Sequence, residues 1–212
     1  MFDFTPERLA AAAFLIAFFL LVGFPVHEFA HALAADRLGD HTARFMGRLT
    51  LNPIRHFDPL GGILLAVSIL LSPFVFGWAK PTPVNPSNLV DRRNGELVVA
   101  LAGPASNLVM ASVMALVFRA VVGLEVDVPN IVVLILFNFV FFNVMLAVFN
   151  LIPVPPLDGS QVLFRFLPPS TAWRLRTQLA QYGFVIIIVG VLLFGGAIAG
   201  FMLDVTVFLV GL

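Results

Sequence analysis

The sequence predicts an all-α polytopic membrane protein: about four transmembrane helices, a re-entrant element and a short β-hairpin-like segment beside a histidine motif. Three observations carry this reading. Hydrophobic residues make up 60% of the 212 positions and charged residues 11%, with a mean hydropathy of +1.02. A soluble domain is closer to about 45–50% apolar and about 25% charged. Four apolar stretches each reach the ~20 residues that cross a hydrocarbon core. Finally, if residues 61–81 dip in and return, Arg8 and Arg119 alone among the Lys and Arg residues lie on the far face. Such asymmetry marks the crowded face as cytoplasmic. Net charge is zero, so no bulk basic balance points to a nucleic-acid partner. The absence of cysteine excludes disulfides, thiolate metal sites and thiol catalysis.

The first span is expected over residues 7–38, because 9–26 carry no charge and Gly39 supplies a C-terminal stop. It lacks a basic leader region and runs straight into histidines, so it reads as a retained helix and not a cleaved signal. Alternation at Arg48–Leu51, inside "RFMGRLTLNP", suggests a short strand. The run "GGILLAVSILLSPFVFGWAKP", 61–81, is long enough to tempt a fifth span. Spanning would move Lys80, Arg92 and Arg93 across the membrane and weaken the charge bias, so a re-entrant element is expected, broken at Pro73. "KPTPVNPSN", 80–88, reads as an extended proline-rich loop. Further spans follow at 95–122, 130–152 and 183–203, the third ended by "PVPP". Residues 160–182 suggest a basic amphipathic surface helix. The whole chain reads as a single integral membrane domain.

Chemistry concentrates in "GFPVHEFAHALAADRLG", 23–39. His27 and His31 are four apart on a helix and project from one face, with Glu28 beside them. This H-E-x-x-H pattern supplies two zinc ligands and a general base for hydrolysis. Ionisable groups at the edge of a span are costly and usually functional. At about 1.5 Å per residue, a helix entering the membrane near Arg8 crosses about 30 Å by residue 28. A catalytic zinc takes three protein ligands and keeps one position open. Asp158 in "PPLDGS" is the choice for the third, because the re-entrant topology brings it to the face that carries His27. His41, His56, Asp36, Asp40 and Asp58 compete for that place.

The chain resembles the site-2 proteases, intramembrane zinc metalloproteases, and within them the compact prokaryotic branch without PDZ or CBS domains. The matching elements are "HEFAH" at 27–31, "LNPIRHFDPLGG" at 51–62, "GWAKPTPVNP" at 77–86, "AGPASNL" at 102–108 and "FNLIPVPPLDG" at 149–159. The resemblance implies that His27, His31 and Asp158 bind Zn2+ and that Glu28 is the catalytic base. It also implies that Asn150 lies near the site and contacts substrate, and that Asn107 and Gly103 pack the second span. His56 is a further candidate for substrate contact.

The activity expected is zinc-dependent intramembrane hydrolysis of peptide bonds. The substrates would be single-span transmembrane proteins or signal peptides, with the lipid bilayer as the other partner and no nucleic acid. Such a substrate helix must unwind before attack, and strand addition at 44–51 or along the return arm at 74–85 offers a clamp. The expected location is a prokaryotic inner membrane with the site near the cytoplasmic face. A transporter or channel, or a non-catalytic scaffold holding a metal, stands as the alternative.

Overall fold

The structure of the chain, a computed structural model, describes residues 5–71, 75–124 and 127–212. Among these residues the regular elements are helical and no strand forms. They group into two compact units, Met1–Arg92 and Arg93–Leu212.

The first unit opens with helix α1 (Pro6–Phe18), a π-helical segment (Phe19–Gly23) and helix α2 (Phe24–Arg37). The change of register has a local cause. Pro25 has no N–H, and inside a continuous α-helix its ring would meet the carbonyl four residues back. In the π segment the Phe24 N–H reaches Phe19 O, five residues back, so α2 starts afresh with Pro25 in its first turn. The histidine motif begins two residues later. Two short helices follow, α3 (Thr42–Phe45) and α4 (Pro53–His56). The strand expected at Arg48–Leu51 does not form. This stretch is irregular with a bend at Leu49–Thr50, and the Arg48 N–H closes back onto Ala43 O at 2.8 Å. The hairpin-like segment of the sequence reading is therefore corrected to short helices joined by irregular backbone.

Helix α5 (Pro59–Leu71) is apolar and has 13 residues. That gives about 20 Å, short of the ~30 Å hydrocarbon thickness. The chain then doubles back along it. The Phe76 N–H donates to Ser68 Oγ and that hydroxyl contacts Phe76 O, both at 2.9 Å, and the Lys80 N–H reaches His56 O at 2.9 Å. Gly61 permits the close approach: a Cβ there would stand 2.1 Å from Trp78 O. The expected break at Pro73 lies outside the described residues.

The second unit contains α6 (Arg92–Gly123), α7 (Asn130–Asn150), α8 (Gly159–Phe166) and α9 (Pro169–Val210). Its core joins Ala111, Ala115 and Phe118 of α6, Val140 and Val144 of α7, and Met202 and Val210 of α9. Small residues on α6 let large ones on α7 approach. Asn107 and Asn143 are fully buried, and Asn107 Nδ2 donates to Asn143 Oδ1 at 3.1 Å. The surface helix expected over 160–182 is divided: α8 ends before Leu167–Pro168, and α9 then runs unbroken for 42 residues. Among the described residues four helices are long and apolar enough to span a membrane: Leu9–Arg37, Arg92–Gly123, Asn130–Asn150 and Pro169–Val210. The chain is an integral membrane protein of all-α class.

Candidate metal centre

Helical spacing places His27 and His31 one turn apart on α2, with their Nε2 atoms 3.0 Å from each other. Their rings meet edge to face with centroids 4.7 Å apart, and both side chains are buried. Nitrogens bound to one tetrahedral zinc at about 2.0–2.1 Å would lie roughly 3.3 Å apart. The pair is already close to that spacing. Asp158 stands at the N-cap of α8, yet its side chain makes no capping bond to that helix. The loop before it is drawn tight, since a Cβ at Gly159 would lie 2.1 Å from Leu151 O. His27 and His31 of the first unit and Asp158 of the second are side chains of the types that ligate a metal ion. Two imidazoles and one carboxylate match the donor set of hydrolytic zinc sites with an open position.

Glu28, beside the pair, is held by Thr82 of the return arm. The Thr82 N–H donates to Glu28 Oε2 at 2.7 Å, and Thr82 Oγ1 donates to the Glu28 backbone carbonyl at 2.9 Å. The carboxylate bond uses one oxygen and leaves Oε1 to accept a proton. Arg48 is 94% buried and donates to the carbonyls of Lys80 and Pro81. Burial pulls its pKa below the usual guanidinium range, and the Glu28 carboxylate opposes that pull.

The rival ligands have other roles. Asp36 accepts from Arg44 at 2.5 Å and contacts His41 at 2.8 Å. Asp40, fully buried, accepts from the Thr42 hydroxyl and backbone and from Asn85 N–H and Asn88 Nδ2. Burial pushes the Asp40 pKa up, but these four hydrogen bonds outweigh it and hold the carboxyl below its usual range. Asp58 accepts from the Gly61 N–H at 2.9 Å and so caps α5. His56 is 98% buried with Nε2 2.7 Å from Thr50 O, and α4, which it ends, packs against α2 and the π segment. Asn150 ends α7 half-buried, donating one amide N–H to Leu146 O at 2.9 Å.

Sequence reasoning missed Thr82 and Arg48. Thr82 is the residue between Pro81 and Pro83 that keeps a backbone N–H, which is a legible signal. The burial of Arg48 has no signature in one sequence.

The model of peptidase family M50 matches residues 122–193. The chain is 40% identical over 174 residues to "Putative zinc metalloprotease YwhC" of Bacillus subtilis (strain 168), covering 80% of this chain and 76% of that protein. It is 34% identical to "Putative zinc metalloprotease Rip2" of Mycolicibacterium smegmatis (strain ATCC 700084 / mc(2)155), covering 80% of this chain and 63% of that protein. With "Putative zinc metalloprotease Rip2" of Mycobacterium tuberculosis (strain ATCC 25618 / H37Rv) it shares 33% identity, and it again spans 63% of the relative's length. No solved structure matches the chain significantly. A relative 40% identical over three quarters of its own length, together with the M50 match, decides the family: this chain belongs to peptidase family M50, the site-2 protease family.

Proposed function

We propose that the protein is a zinc-dependent intramembrane endopeptidase acting on single-span transmembrane proteins or signal peptides. The observation that carries the proposal is the buried His27–His31 pair, 3.0 Å apart at Nε2, with Glu28 beside it on the same helix. The zinc metalloprotease names of the relatives support the same reading. Membership of a peptidase family favours hydrolysis over transport or a scaffold role.

His27, His31 and Asp158 would hold the metal. When bound, zinc supplies Lewis acidity for a scissile carbonyl and acidifies water toward a pKa of about 7. Glu28 takes a proton from the attacking water at Oε1 and delivers it to the leaving amine. Asn150 keeps a second amide N–H and its Oδ1 for the substrate backbone. Burial of both histidines excludes bulk water from the ligands and strengthens every charge interaction near them.

The positive-inside count supports a cytoplasmic placement of the site in a prokaryotic inner membrane. The short α5 and its antiparallel return support a re-entrant element. The clamp expected along the return arm narrows. Pro81 and Pro83 cannot donate to an added strand, and the Thr82 N–H is already bound to Glu28.

The test is zinc analysis of the purified protein together with cleavage of a model single-span helix. Glu28→Ala is expected to keep zinc and lose about 10²–10⁴-fold in turnover. Asp158→Ala is expected to lose zinc and turnover together. Retained turnover in Glu28→Ala would remove that residue from its role.

A further inference from the structure

Residues 80–82 are tied down from three directions. The Lys80 N–H donates to His56 O at 2.9 Å. The Lys80 and Pro81 carbonyls accept from Arg48 Nη2. The Thr82 N–H and hydroxyl hold the Glu28 carboxylate and backbone carbonyl, at 2.7 and 2.9 Å. A buried guanidinium is expensive unless paired. Here its hydrogen bonds go to neutral carbonyls, and Glu28 is the carboxylate whose charge acts on it. Both bonds leave one nitrogen, Nη2, which addresses two consecutive carbonyls at once. Pro81 and Pro83 flank Thr82 and remove competing donors, so the one N–H of that tripeptide is turned toward Glu28.

We propose that Arg48 is a positioning residue for Glu28. It clamps the carbonyls of Lys80 and Pro81, and so fixes Thr82 in the place from which it holds the carboxylate in one orientation. The inference rests on Glu28 acting as the base. Loss of Arg48 leaves the metal ligands intact but lets the 80–82 loop and the carboxylate wander.

The test measures kcat, KM and zinc content for Arg48→Ala, Arg48→Lys and Glu28→Ala, with amide hydrogen exchange across the 80–83 peptide. In that peptide Lys80 and Thr82 alone carry a backbone N–H, so exchange there reads two bonds. Arg48→Ala is expected to lower kcat about 10–100-fold with KM and zinc content little changed, the usual scale for removing a partner that orients a site residue. Both amides should then exchange faster, and Arg48→Lys should recover part of kcat. Glu28→Ala should expose the Thr82 amide and leave that of Lys80 protected. The inference is overturned if Arg48→Ala keeps wild-type kcat or wild-type exchange. It is also overturned if the loss of kcat matches a loss of folded, zinc-bound protein and lysine recovers nothing. Turnover retained in Glu28→Ala would sink the parent reading, whereas an inactive Glu28→Ala beside a fully active Arg48→Ala sinks this inference alone.

Discussion

At the residue scale, function and stability divide among neighbouring carboxylates on the same stretch of chain. Glu28 accepts one N–H and keeps an oxygen available. Asp40, twelve positions on, is saturated by four hydrogen bonds and serves the fold. Its folded pKa is depressed, so its stabilisation is present above the unfolded value of about 3.9 and is lost as pH falls through the folded value. Asp40→Ala is expected to destabilise the protein by about 1–3 kcal/mol at pH 7, because donors on Thr42, Asn85 and Asn88 lose a charged acceptor. Thermal unfolding in detergent should show this gap from wild type shrinking as pH is taken below 4, on the scale of an ordinary aspartate. A gap that stays constant with pH would contradict a charged Asp40. The histidine pair and its glutamate were legible in the sequence, since spacing and residue type specify ligand chemistry. The packed His56 was not, because burial depends on what folds over a residue.

At the element scale, the π segment before α2 and the return along α5 shape the first unit. The π segment lets Pro25 sit in a first turn, and the motif helix starts from there. The return arm depends on close backbone approach at Gly61. Gly61→Val is expected to force Trp78 away from α5 and to cost about 1–3 kcal/mol, the range for overpacking a well-filled contact. The same variant should raise hydrogen exchange over 76–82, where the Phe76 and Lys80 amides are bound. Unchanged exchange would mean that the arm does not depend on this contact. The strand expected at 48–51 failed for a physical reason. Its alternation came from a buried arginine and two leucines, and Arg48 turns inward to carbonyls where a strand would have shown it to solvent.

At the scale of the whole molecule, charge and length govern placement in the bilayer. Helix α9 has 42 residues, about 63 Å, roughly twice the hydrocarbon thickness. Its first turns, with Arg174 and Arg176, therefore belong outside the apolar layer. Arg176 Nη2 donates to Gln161 Oε1 at 2.8 Å, which ties that polar end to α8. If α5 turns back within the membrane, Lys80 stays on the arginine-rich side. A single-cysteine Lys80→Cys variant in intact cells is expected to resist membrane-impermeant thiol reagent and to react after permeabilisation. The native chain has no cysteine to interfere. Labelling of Lys80→Cys from outside would place α5 across the membrane and remove the topological case for Asp158.

Sequence by itself determined the class, the number of apolar helices and the motif at His27, Glu28 and His31. Those follow from composition, run length and the 3.6-residue period, which are local properties of a chain. Tertiary structure alone decided which polar side chains are spent on the fold. It spends Asp40, Asp58 and His56 on backbone and cap contacts. It buries Arg48 against the 80–81 carbonyls and sets Thr82 on Glu28, 54 residues away in sequence. Pairings at that separation are settled by which groups burial deprives of water, and that is a property of the packed molecule.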